Sequence, residues 1–178
     1  ENPVHGGEQA LVVSGPLVSN NTTRKVPGLE AETQVTVDFW VRPLTNGSVG
    51  NIFITAENAS NTRAAAVRFG PSNSIDYGTA ITGVWQATGL TWDPNTWYRI
   101  TMEIDYAART YDFLVDGTAV NTEPIPFYTA TSDSFDHIRI FRGTGQAGVI
   151  LDDLSVTGPG GGGEEPTLAV NRSGSDLV

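Results

Sequence analysis

The chain has 178 residues, the length of one ordinary domain, and a formal net charge of −10. It contains no cysteine, which excludes disulfides, thiolate metal sites and a cysteine nucleophile. The acidic balance, with Lys25 as the one lysine, argues against nucleic acid and anionic membranes as partners, and no apolar run is long enough to span a bilayer.

Helical periodicity is nearly absent. Short apolar/polar alternations, broken by Gly, Asn, Asp and Pro clusters, predict an all-β chain. In chain order the strands are expected at residues 9–14, 34–43, 51–57, 63–70, 74–77, 83–87, 97–105, 110–115, 118–120, 137–142 and 149–157. The strongest is 34–43, where Val35, Val37, Phe39 and Val41 share one face and Thr36, Asp38, Trp40 and Arg42 the other. Residues 97–105 repeat the pattern, with Tyr98, Ile100, Met102 and Ile104 opposite Trp97, Arg99, Thr101, Glu103 and Asp105. Asp116-Gly117 after Val115 is a two-residue hairpin signal. Residues 158–166 (GPGGGGEEP) read as a flexible linker, and 167–178 as the truncated start of a following domain. Residues 1–157 are then one module, and the start at Glu1 without a leader reads as a mature or excised chain from a larger exported protein.

Tryptophan on the polar face of a strand is informative, because exposed indole is costly to keep without use. Trp40 lies on the Asp38/Arg42 side, and in residues 137–142 the residues His137, Arg139 and Phe141 oppose Ile138 and Ile140. If these strands are sheet neighbours, Trp40, Arg42, Arg99, Glu103, His137 and Arg139 gather on one surface, where aromatic rings stack on sugars and polar groups bond to hydroxyls. Trp85 and Trp92 flank a Gly/Pro/Asn-rich loop and are further candidate stacking platforms. Trp97 is expected to pack. Two blander readings stand beside these: residues 71–94 fold over the face and bury it, or the arginines merely neutralise Asp38, Glu103 and Asp112 across strands. Arg42, Arg99 and Arg139 also raise an acidic sugar as ligand, against which the net acidity of the chain stands.

Several segments resemble those of laminin-G-like and concanavalin A-like domains: QVTVDFWVRP (34–43), NTWYRITMEIDYAARTYDFLVDGTAV (95–120), GEQALVVSG (7–15) and ILDDLSVTG (150–158). The resemblance implies a two-sheet antiparallel β-sandwich, a jelly roll, with its ends paired near one edge. It also implies a structural calcium clamped by Glu8 in the first strand and by Asp152 and Asp153 in the last, Asp152 being the preferred ligand. Glucanases on this scaffold carry Glu-x-Asp followed by a third acid. Glu103-Ile104-Asp105 supplies the first half, but Tyr106, Ala107 and Ala108 follow, so catalysis is not expected. The expected function is a non-catalytic carbohydrate-binding module of a modular, secreted or cell-surface protein, of bacterial type. Its partners would be a polysaccharide or oligosaccharide and tethered neighbouring domains. The alternatives are a spacer or adhesion module, and a glucanase or polysaccharide lyase.

Overall fold

The computed structural model describes residues 10–13, 20–44, 52–80, 84–142 and 148–159. Among the described residues thirteen strands are formed: β1 (Leu11–Val13), β2 (Asn20–Lys25), β3 (Gln34–Pro43), β4 (Ile52–Glu57), β5 (Arg63–Phe69), β6 (Ser74–Thr79), β7 (Val84–Thr91), β8 (Tyr98–Asp105), β9 (Thr110–Val115), β10 (Thr118–Ala119), β11 (Ile125–Pro126), β12 (His137–Arg142) and β13 (Val149–Thr157). One sheet has the order β1-β13-β3-β8-β9-β10, with β11 also on β9; the other runs β2-β12-β4-β5-β6-β7. Pairing is antiparallel throughout both. The fold is the expected all-β jelly-roll sandwich, and β1 pairs β13 at one edge.

Alternation builds the core. Val35, Val37, Phe39 and Val41 of β3 are buried, while the intervening side chains are partly exposed. Ile100, Met102, Tyr111 and Phe113 continue this inner surface on β8 and β9; Ile52, Ile54, Val67, Phe69, Ile138 and Ile140 meet it from the second sheet. Each such side chain contributes about 1.5–3 kcal/mol by leaving water. The β9–β10 hairpin turns on Asp116 (φ 51°) and Gly117 (φ 76°), as the Asp-Gly pair predicts. Tyr111 bolts the layers together: its hydroxyl donates to the Gly78 carbonyl at 2.6 Å, with the Ala66 carbonyl at 3.3 Å, both in the second sheet.

The structure departs from expectation in three places. First, β12 belongs to the second sheet, so His137, Arg139 and Phe141 lie on the opposite outer surface from Trp40 and Arg99. Second, the described parts of residues 71–94 form strands of the second sheet rather than a covering loop: after a short 3-10 turn come β6 and β7, with Gly89 (φ 83°) absorbing a bulge. Trp92, expected as a stacking platform, is completely buried edge-on to Phe69, with its indole N–H directed to the Gly70 carbonyl. It anchors this hairpin in the core and offers no face to a ligand. Third, β2 and β11 were not foreseen, because β2 reads NNTTRK and β11 contains Pro126; both take their strand form from neighbours rather than from their own pattern. Glu8 and residues 160–178, most of the expected linker and all of the tail, lie outside the described residues.

Trp92→Ala is expected to cost about 3–5 kcal/mol in urea unfolding, as for large core aromatics. The half-exposed Trp85 should cost far less on the same substitution.

Candidate functional site

The outer face of the first sheet is largely self-satisfied. Arg99, half exposed, donates from Nε to both oxygens of Asp38 at 3.0 and 3.1 Å, and the Thr101 hydroxyl donates to Asp38 at 2.6 Å. This is the cross-strand neutralisation anticipated for the arginines. Arg42 lies 5.2 Å from the Trp97 ring centre. Trp40, facing Arg99 across β8 and Asp152 across β13, is half-buried. Glu103 is exposed and lines a cavity of about 270 Å³ with Gln34, Thr36, Asp105 and Asp112. Asp105 caps the β8–β9 turn: the Ala108 N–H donates to it at 2.7 Å, and that bond chiefly holds its carboxyl below the usual carboxylate range. A general acid needs the opposite shift.

The outer face of the second sheet is built differently. Register places Phe141 opposite Phe53, Arg139 opposite Thr55 and His137 opposite Glu57; on the other flank of β4, Arg68 faces Phe53 and Arg63 faces Glu57. Four aromatic rings run across this surface. Phe53 and Phe141 stack at 4.6 Å, Trp85 tilts onto Phe53 at 5.3 Å, and Tyr128 meets Trp85 at 5.8 Å; all four are half-buried. Tyr128 lies against Gly78, where any side chain would collide with its ring. Its N–H donates to the Ala64 carbonyl at 2.9 Å, which ties the loop after β11 to the end of β5.

Three arginines sit among these rings. Arg68 is over Trp85 at 4.8 Å, Arg63 over Tyr128 and Phe141 at 5.4 and 5.1 Å, and Arg139 over Phe141 at 5.5 Å. Beneath them lie two buried carboxylates. Glu57, with no exposure, accepts from the Thr55 hydroxyl at 2.7 Å and from Arg63 Nε at 3.2 Å, and faces His137 Nε2 at 3.3 Å and Arg139 Nη1 at 3.7 Å. Asp76 accepts from Arg68 Nε at 2.8 Å and from its Nη2. Buried charges demand partners, so each acid fixes the arginine above it. His137, only 4% exposed, is held on its other side by Asp136 at 2.8 Å, and so positions neighbours rather than meeting a ligand directly.

The expected site residues therefore divide. Trp85, His137 and Arg139 come together on the second sheet; Trp40, Arg42, Arg99 and Glu103 lie on the first; Trp92 lies in the core. Phe53, Glu57, Arg63, Arg68, Asp76 and Tyr128 were missed. The alternation of Phe53, Thr55 and Glu57 with Ile52, Ile54 and Ala56 was a signal for two of these positions, Phe53 and Glu57. Of the calcium residues, Asp152 is buried and accepts from the Asp153 N–H at 2.9 Å, in a β-bulge where Asp153 takes φ 51°. Among the described residues no group of three or more His, Asp or Glu is placed to hold a metal ion.

Two substitutions test the anchoring acids. Glu57→Gln should lower stability by about 3 kcal/mol, the low end for a broken buried ion pair, because Arg63 and Arg139 keep 29% and 30% side-chain exposure. At Asp136, burial pushes the carboxyl up, but hydrogen bonds from His137 and Lys25 outweigh it and hold it below the usual range. A depressed folded value stabilises above the unfolded value of about 3.9 and loses that contribution as pH falls through the folded value. Asp136→Asn should therefore lower stability at neutral pH and flatten the acid limb of a stability–pH profile, measured by urea unfolding.

Comparison with known proteins agrees with this architecture. A profile described as "Concanavalin A-like lectin/glucanases superfamily" matches residues 18–156. No curated protein sequence matches the chain. Among solved structures, a sialidase superposes with a TM-score of 0.69 at 15% identity, covering 84% of this chain but only 15% of the sialidase. A cellulose-induced protein gives a TM-score of 0.52 at 10% identity, covering 84% of this chain and 91% of its own. A human galectin-16 variant gives 0.53 at 11% identity, covering 76% and 94%. At these identities the likeness is one of fold. Among the described residues no helix is long and apolar enough to cross a membrane. The profile match over most of its length and the two-sheet jelly roll together place this chain in the concanavalin A-like lectin/glucanase superfamily.

Proposed function

We propose that the chain is a non-catalytic carbohydrate-binding module, and that its ligand lies on the outer face of the second sheet. One observation carries this reading: four half-buried aromatic rings and three arginines share that surface, with the arginines fixed from below by buried Glu57 and Asp76. Pyranose rings present C–H faces that pack on aromatic rings and hydroxyls that bond to fixed polar groups. A surface whose polar groups are already oriented loses little entropy on binding. The lectins named in the family description and among the fold neighbours favour the same reading.

The non-catalytic part of the proposal rests on chemistry. The half motif Glu103-Ile104-Asp105 lies on the other sheet, and Asp105 is engaged in its turn. The fold match to 15% of a sialidase is consistent with an accessory module of a larger protein, tethered to neighbours at a polysaccharide and exported from the cell. The proposal includes calcium, with Asp152 as first carboxylate at the β13 bulge, carboxylate and carbonyl oxygens being the donors a hard cation takes. A chelator-treated sample should melt lower than one given calcium; identical melting curves would contradict a bound ion.

The binding face is tested with a glycan array and tryptophan fluorescence. Trp85→Ala should weaken any ligand found by about tenfold, the cost of one stacking ring, while Trp40→Ala should leave affinity unchanged. The reverse pattern would move the site to the first sheet.

A further inference from the structure

Building on the proposed binding face, we infer that its ligand is an anionic sugar whose carboxylate or sulfate is held between Arg63 and Arg139 above Phe141. Both guanidiniums lie over the same Phe141 ring, at 5.1 and 5.5 Å, and both reach the same buried acid. A guanidinium has five N–H donors. Arg63 spends only its Nε on Glu57. Arg139 stands 3.7 Å from Glu57, beyond hydrogen-bond length. Arg68, by contrast, commits both Nε and Nη2 to Asp76. Among the described residues these two cations commit one N–H, Arg63 Nε, to a hydrogen bond, and both lie over the Phe141 ring.

The charge arrangement selects the sign of the ligand. Three guanidiniums, 20% to 30% exposed, form the surface, while their two carboxylates lie beneath with at most 4% side-chain exposure. Lys25, 74% exposed, adds a further cation at the same edge, paired to Asp136 at 3.3 Å. Among the described residues, the carboxylates under the three arginines are Glu57 and Asp76, so a ligand approaching from above meets N–H groups first. A planar fork prefers an oxyanion over a neutral hydroxyl, because a carboxylate or sulfate can accept two parallel N–H bonds and carries the opposite charge. The chain as a whole is strongly acidic, so this face is a local exception to its own field. Carboxylated and sulfated sugars share the oxyanion chemistry the pair would recognise.

The test is titration of the intact chain with three probes: a galacturonic acid oligomer, a sulfated galactan oligomer and cellohexaose. At least one anionic probe should bind at least about tenfold more tightly than cellohexaose, with affinity falling as salt rises. Binding of only one anionic probe assigns the oxyanion. Arg139→Gln should weaken that binding by about tenfold, with Arg139→Lys intermediate and Arg99→Gln, on the opposite sheet, without effect. The salt dependence of the unaltered chain is read independently of whether any variant folds. Equal or tighter binding of cellohexaose, insensitive to salt, would overturn this inference and leave the carbohydrate reading standing. Binding of none of the three would overturn the inference, and a blank glycan array would then overturn the reading beneath it.

Discussion

A carboxylate with no solvent exposure is the constraint around which the second sheet's outer face is arranged. Glu57 ends β4 at a position where alternation turns it away from the apolar core, yet it is covered. An isolated charge there would cost several kcal/mol. The structure offsets this by bringing a hydroxyl, an imidazole and two guanidiniums from three adjacent strands onto its two oxygens. Those long side chains lie over Phe141 and Tyr128 as they reach toward Glu57, so one buried acid ties the charge pattern of the surface to its aromatic pattern.

The rigid platform beneath comes from the sandwich itself. Tyr111 spans the core from β9 and bonds to carbonyls of β5 and β6, the strands that carry Ala66 and Gly78 under Tyr128 and Trp85. Trp92 pins the return from β7 to β8 against Phe69. β5 and β6 are therefore held from the inner side by hydrogen bonds and packing, and their outer side carries the aromatic rings and arginines. The first sheet uses its outer face differently: Arg99, Asp38 and Thr101 close on one another and keep few groups for a ligand.

Much of the fold was legible because period-two alternation is a local signal. It marked β3, β8, β9 and β12 by their own residues and showed which side chains point out. It carried no information on which strands are neighbours. His137, Arg139 and Phe141 were correctly placed on a polar face but grouped with Trp40, because nothing in residues 137–142 says which sheet receives them. Nothing local marks Glu57 as buried, since its burial depends on partners 80 and 82 residues away, at His137 and Arg139. Trp92 failed in the opposite sense: its Gly/Pro/Asn-rich surroundings resemble a loop, but the bulge at Gly89 turns its indole inward. Local alternation marked which side chains face outward; long-range pairing decided which of them meet.

The central claim is that ligand recognition belongs to the second sheet's outer face. Backbone amide NMR during titration with a bound oligosaccharide tests it most directly. The account predicts shifts concentrated on Phe53–Glu57, Arg63–Arg68 and His137–Phe141, with the first sheet unperturbed. Shifts concentrated instead on Thr36–Arg42 and Arg99–Asp105 would contradict it.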